Sequence, residues 1–164
     1  MFIDNNLTTS KYRLAYIITG LLAIGSLAYI YFDKYNMKAC LICCGVMVVA
    51  NIILLLINPS YFSFDDDKDP IIVKRYSAYP LFRRCMSFNI KKRLLHKYTI
   101  TKSFFGLQKK ISITVRGYNK EKQLKEFTYP SFNISALSAE DIELLERTLN
   151  KYINANLERI AQSK

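Results

Sequence analysis

Cysteine, histidine and clustered aspartate are the residue types in this chain that could hold a metal or carry redox chemistry, and their spacing argues against both. Cys40 and Cys43 are separated by two residues, the spacing of half a zinc site or of a redox pair. A zinc centre needs a second ligand pair, and none follows. Cys44 adjoins the first pair, Cys85 stands alone, and the single histidine, His96, is far along the chain. Cys40, Cys43 and Cys44 lie in an apolar run, where cysteine behaves as a small hydrophobe. The even, dispersed set of a disulfide framework is missing. Asp65, Asp66 and Asp67 could offer carboxylate oxygens to a cation, but the glycine and distal glutamate of a calcium loop do not follow. They read better as solvated linker. His96 has no acid or nucleophile beside it in a motif. No catalytic residue, cofactor or metal ligand is assigned, and the chain is expected not to be an enzyme.

Basic residues are the stronger signal. The chain carries 24 Lys and Arg against 13 Asp and Glu. Only Lys11, Arg13, Lys34 and Lys38, with Asp4 and Asp33, precede Pro59. From Ile71 to Lys120 there is no acid at all. Arg83–Arg84 and Lys91–Lys92–Arg93 form clusters, joined by Lys102 and by Lys74, Arg75, Lys97, Lys109, Lys110 and Arg116. Such a surface suits anionic lipid headgroups, worth about 1 kcal/mol for each cation held close to the bilayer. Arg83, Arg84, Lys91, Lys92, Arg93 and Lys102 are singled out for that contact. Nucleic acid could use the same charge, and Tyr76, Tyr79, Phe82 and Phe88 interleave aromatics with it. At that spacing these side chains read better as strand core, and a membrane tether makes nucleic acid the less favoured partner.

The tether is read from two apolar runs. No charge occurs from Leu14 to Phe32, or from Ala39 to Phe64. A helix needs roughly 20 apolar residues to cross a bilayer, and backbone groups in lipid must be satisfied within the segment. The spacing predicts spanning helices over 13–32 and 39–58, joined by a turn at 33–38, after an N-terminal segment 1–12. Tyr12 and Tyr16, then Tyr29, Tyr31 and Tyr35, mark the ends of the first, and Tyr61 closes the second, as interfacial aromatics do. A cleaved signal peptide competes for the first run, but the run is long for one and lacks small residues at its end. The Lys and Arg bias favours a cytoplasmic-membrane location with both termini cytoplasmic. Ala15, Thr19 and Ala23 share one face, where small side chains permit close helix approach. Asn51, the polar residue deep in the second run, is expected to hydrogen-bond between the helices.

Past a polar linker, 59–70, the pattern changes to short strands over Ile71–Tyr76, Arg84–Ile90, Leu94–Ser103 and Phe132–Ser135. Ile111, Ile113 and Val115 alternate with Ser112, Thr114 and Arg116, the period of a half-buried strand. Phe127 and Tyr129 continue the pattern, and Gly106 and Gly117–Tyr118–Asn119 supply turns. Ser138 then stands three residues before Asp141 as an N-cap. Ile142, Leu145, Leu149 and Ile153 follow at helical spacing, predicting an amphipathic helix over 138–160. The fold class expected is a membrane α-helical hairpin plus an α+β domain, 71–160: a bent antiparallel sheet or partial barrel capped by that helix.

Ser131 through Asp141, leading into Leu144, Leu145 and Leu149, resembles the last strand and helix start of small bacterial membrane proteins in which a PH-like or YcxB-like domain follows a transmembrane hairpin. Tyr98 through Leu107 resembles their middle hairpin. The resemblance implies a PH-like fold and supplies no catalytic residues. With the charge, it leads to the expectation of a membrane scaffold or regulator binding a protein partner or anionic lipid headgroups. A membrane-resident immunity or accessory protein of a toxin or secretion system is the alternative, and a small transport component a weaker one.

Overall fold

The computed structural model describes residues 1–32, 37–79, 84–118 and 123–162. The chain runs β1 (Phe2–Asp4), α1 (Asn6–Phe32), α2 (Met37–Ile57), β2 (Ser60–Asp65), β3 (Ile71–Ser77), β4 (Met86–Ile90), β5 (Leu95–Ser103), β6 (Gln108–Tyr118), β7 (Leu124–Thr128), β8 (Phe132–Asn133) and α3 (Ala139–Gln162). The turn expected at 33–38 falls largely outside the described residues.

Both long helices are apolar enough to cross a membrane, and of their most apolar stretches only 6% and 0% is buried. A core helix of a water-soluble domain would be mostly covered. Here the side chains of α2 from Leu41 to Leu56 stand largely bare. Asn58 ends α2 in the left-handed conformation, φ 46°, which asparagine tolerates better than most side chains. Pro59 follows and cannot continue the helix.

The domain is α+β, as expected, and its strands form two antiparallel sheets that do not make a closed barrel. The first sheet has the order β1-β2-β3-β4. In the second, β6 pairs with β5, β7 and β8. Phe62, Phe64, Ile71 and Val73 from the first sheet and Ile111, Ile113 and Phe132 from the second share one core. Leu145 and Leu149 of α3, both fully buried, close it. Ser138 caps α3: its hydroxyl accepts from the Asp141 amide at 3.0 Å and donates to the Asp141 carboxylate at 2.7 Å.

Three stretches differ from the sequence expectation, the first being Gly117 and Tyr118, expected in a turn, which instead continue β6 opposite Lys125 and Leu124. The segment 59–70 is not simply a linker, because Ser60–Asp65 pairs along its length with β3. The segment 1–12 likewise joins the domain: β1 pairs with β2, and α1 starts at Asn6 instead of 13. Asn5 explains this. Its side chain accepts from the Phe62 amide at 2.8 Å, donates to the Ser60 carbonyl at 3.0 Å and accepts from the Thr9 hydroxyl at 3.2 Å. A buried amide with every group paired holds the polar first turns of α1 against β2. Phe127 also departs from the expected pattern, since β7 is exposed throughout.

Candidate functional site

The end of α2 meets the domain at an open cleft of about 360 Å³. Its walls are Asn58, then Ser60 and Ser77, which face each other at the ends of β2 and β3. Arg75, Arg84 and Lys110 supply three positive charges, and Ser131 and Asn133 supply further polar groups. Among the described residues, no carboxylate lines it. A concavity with hydroxyls, an amide and unopposed cations suits a phosphate or carboxylate ligand.

Each wall is positioned by a specific contact. Arg75 donates to the Ser131 carbonyl at 2.6 Å, and its guanidinium lies 5.7 Å from the ring centres of both Phe88 and Phe132. That packing fixes the fork, and among the described residues no acid pairs with it. Asn133 donates to the Asn58 carbonyl at 2.7 Å and the Ile57 carbonyl at 3.3 Å. The last carbonyls of a helix lack internal partners, so β8 caps α2 and fastens the helical hairpin to the second sheet. Lys110 pairs with Asn133 in the strand register and so stands at the same level as the end of α2.

The residues singled out from sequence are not brought together. Arg84 lines the cleft and Lys102 stands near the β5–β6 turn; Arg83 lies outside the described residues. Lys91, Lys92 and Arg93 sit at the opposite end of the domain. The Lys92 amide donates to Asp69, beside the β2–β3 turn, and its ammonium reaches the Asp66 carbonyl and lies 5.2 Å from the Tyr152 ring centre. Lys92 is therefore a structural tie there. Arg75 and Lys110 replace that run at the cleft, and only the strand register reveals it.

Asp65, Asp66 and Asp67, read as solvated linker, are largely engaged within the domain. Asp66 accepts from the Tyr152 hydroxyl at 2.9 Å and pairs with the Met1 ammonium, which also meets Asp67. Burial works against the charged Asp66 carboxylate, but the ammonium and the hydroxyl outweigh it and hold its pKa below the ordinary value. His96, lone in the sequence, meets Glu126 at 3.3 Å, and Arg116 and Lys97 converge on the same carboxylate. All four cysteines are free. Phe88 packs edge-on against Phe132 and Tyr129, and Tyr79 against Tyr16 of α1.

Between the helices, the Thr19 hydroxyl lies 3.2 Å from the Asn51 side-chain oxygen and 2.8 Å from the Ala15 carbonyl. The Asn51 amide donates to the Met47 carbonyl at 2.9 Å. The Tyr16 hydroxyl donates to the Leu54 carbonyl at 2.6 Å, and Ser26 lies 3.8 Å from the Cys43 sulfur. These contacts trace one antiparallel seam, with Ala15, Thr19, Ala23 and Asn51 all half-buried along it. Comparison with protein families, with curated proteins and with solved structures gave no match.

Proposed function

We propose that this chain is an integral membrane protein, anchored by α1 and α2, whose basic PH-like domain acts as a non-enzymatic scaffold or regulator at its own membrane surface. It holds anionic lipid headgroups in the cleft at the root of α2 and presents the rest of the domain to a protein partner. The cytoplasmic leaflet of the cytoplasmic membrane is the site this reading assigns, following the positive charge beside the helices.

One observation carries the reading: Arg75, Arg84 and Lys110 converge, with no acid beside them among the described residues, on the level at which α2 leaves its apolar stretch. A headgroup phosphate at a bilayer surface would lie at that height. Arg84 and Lys110 together would contribute roughly 2 kcal/mol, about a thirtyfold change in affinity.

Native mass spectrometry of the full chain in detergent, titrated with phosphatidylglycerol and separately with glycerol phosphate, tests this. The paired substitution Arg84→Gln, Lys110→Gln is expected to weaken lipid retention about thirtyfold, with Lys91→Gln, Arg93→Gln close to wild type. Equal loss from both pairs would mean that net charge alone attracts lipid and that the cleft has no role. Equal binding of glycerol phosphate would make the ligand a soluble anion.

A further inference from the structure

The hairpin joining β5 to β6 ends in Phe104–Phe105–Gly106–Leu107, and the domain leaves it bare. Phe105 is 109% exposed, with Phe104 at 49% and Leu107 at 54%. Phe104 and Phe105 both adopt left-handed backbone, φ 52° and 55°, ahead of Gly106 at 86°. Bulky residues avoid that region, and a turn facing water is ordinarily built from Asn, Asp or Gly. The base is nevertheless well closed: the Ser103 hydroxyl and the Gln108 side chain meet at 3.1 Å, and the Gly106 amide donates to the Ser103 carbonyl at 3.2 Å. Below the turn, Lys102 and Lys109 stand directly opposite each other in register. Like charges so placed repel, and among the described residues no acid pairs with either.

The strands fix where this tip points. β2 rises from Ser60, beside the end of α2, to Asp65, and β3 returns from Ile71 to Ser77. The far end of the domain is therefore the β2–β3 turn, where Asp69 holds Lys92. β5 starts next to Lys92, with the Leu95 carbonyl tied to Asn156 of α3 at 2.9 Å. β6 passes Lys110 at the level of Asn58. Between these fixed ends β5 descends towards the helical hairpin. The tip continues past Lys110 by about 10 Å at the strand rise per residue.

We propose that this tip dips into the chain's own bilayer, with Phe104, Phe105 and Leu107 in the apolar layer and Lys102 and Lys109 on the lipid phosphates. It is a second membrane contact, made by the domain itself. Apolar side chains ringed by lysine match the order of a bilayer surface, acyl chain beneath anionic headgroup. Phosphates between Lys102 and Lys109 would relieve their repulsion. The inference rests on α1 and α2 being membrane spans, and not on the cleft.

The chain has no tryptophan, so single replacements report depth. Phe105→Trp, Val49→Trp in α2 and Leu124→Trp at the exposed β7 are placed one at a time in the full chain, one chain per lipid nanodisc. Quenching by lipid brominated near the headgroup end of the acyl chain is compared with quenching by aqueous iodide. The expected result is bromolipid quenching of Phe105→Trp close to that of Val49→Trp, with Leu124→Trp quenched by iodide alone. With phosphatidylglycerol present, Lys102→Glu, Lys109→Glu should release the position-105 reporter to iodide. Iodide quenching of Phe105→Trp while Val49→Trp is quenched from lipid overturns the insertion and leaves the anchor standing. If Val49→Trp also answers only to iodide, anchor and insertion fall together. Lipid quenching of Phe105→Trp that ignores the charge reversal overturns the role of the two lysines.

Discussion

Glu126 shows how much a single residue gains from its neighbours. It lies on β7 opposite Arg116 of β6, and the Arg116 guanidinium donates to its carboxylate at 2.7 Å. That hydrogen bond first, then Lys97, holds its pKa below the ordinary glutamate range. A depressed carboxylate pKa contributes stability above the ordinary value, and the contribution is lost as pH falls through the folded value. Because the pair is exposed, the effect is small. The apparent melting temperature of Glu126→Gln in detergent should therefore lie slightly below wild type at neutral pH, and the gap should shrink below about pH 4. A gap that persisted in acid would show that shape, and not charge, sets the contribution of Glu126.

Between elements, two side-chain amides bind the helical hairpin to the sheets. Asn5 ties the start of α1 to β2, and Asn133 of β8 ties the end of α2. Losing the Asn133 donors removes the partners of two carbonyls at the end of α2, at a partly buried joint beside the open cleft, at a cost of about 0.5–1.5 kcal/mol. Asn133→Ala should show that loss in thermal unfolding. Asn133→Asp should not recover it, because a carboxylate still accepts from the Ser135 amide but cannot donate to the helix, and it adds negative charge at a helix C-terminus. If Asp restored wild-type stability, the cap on α2 would be irrelevant to the joint.

At the scale of the whole molecule, a greasy two-helix stalk carries a basic domain whose cleft and apolar turn both lie towards its root. α1 and α2 present apolar side chains outward over most of their length, which water would oppose and acyl chains would accept. Membranes carrying the full chain and washed with alkaline carbonate should retain it in the pellet, with release by detergent. Release by carbonate alone would remove the bilayer reading, and with it any reason for the cations to gather near α2.

Local pattern carried the elements that depend on near neighbours. The charge-free runs marked α1 and α2, the alternation of Ile111, Ile113 and Val115 marked β6, and Ser138 with the Leu145–Leu149 stripe marked α3, because span length, strand period and capping are properties of adjacent residues. Ser60–Asp65 escaped notice because its Tyr and Phe extend the apolar run of α2, and aromatic residues beside a span read equally well as interfacial. β1 escaped because three residues carry no period. The cleft was not legible at all. Arg75, Lys110 and Asn133 are separated along the chain and meet through strand register, whereas Lys91–Lys92–Arg93, contiguous and conspicuous, were carried to the far end. Sequence determined which segments fold and in what form; only tertiary pairing, which sets long-range contacts by shared burial and hydrogen bonding, decided which charges face the root of the helices.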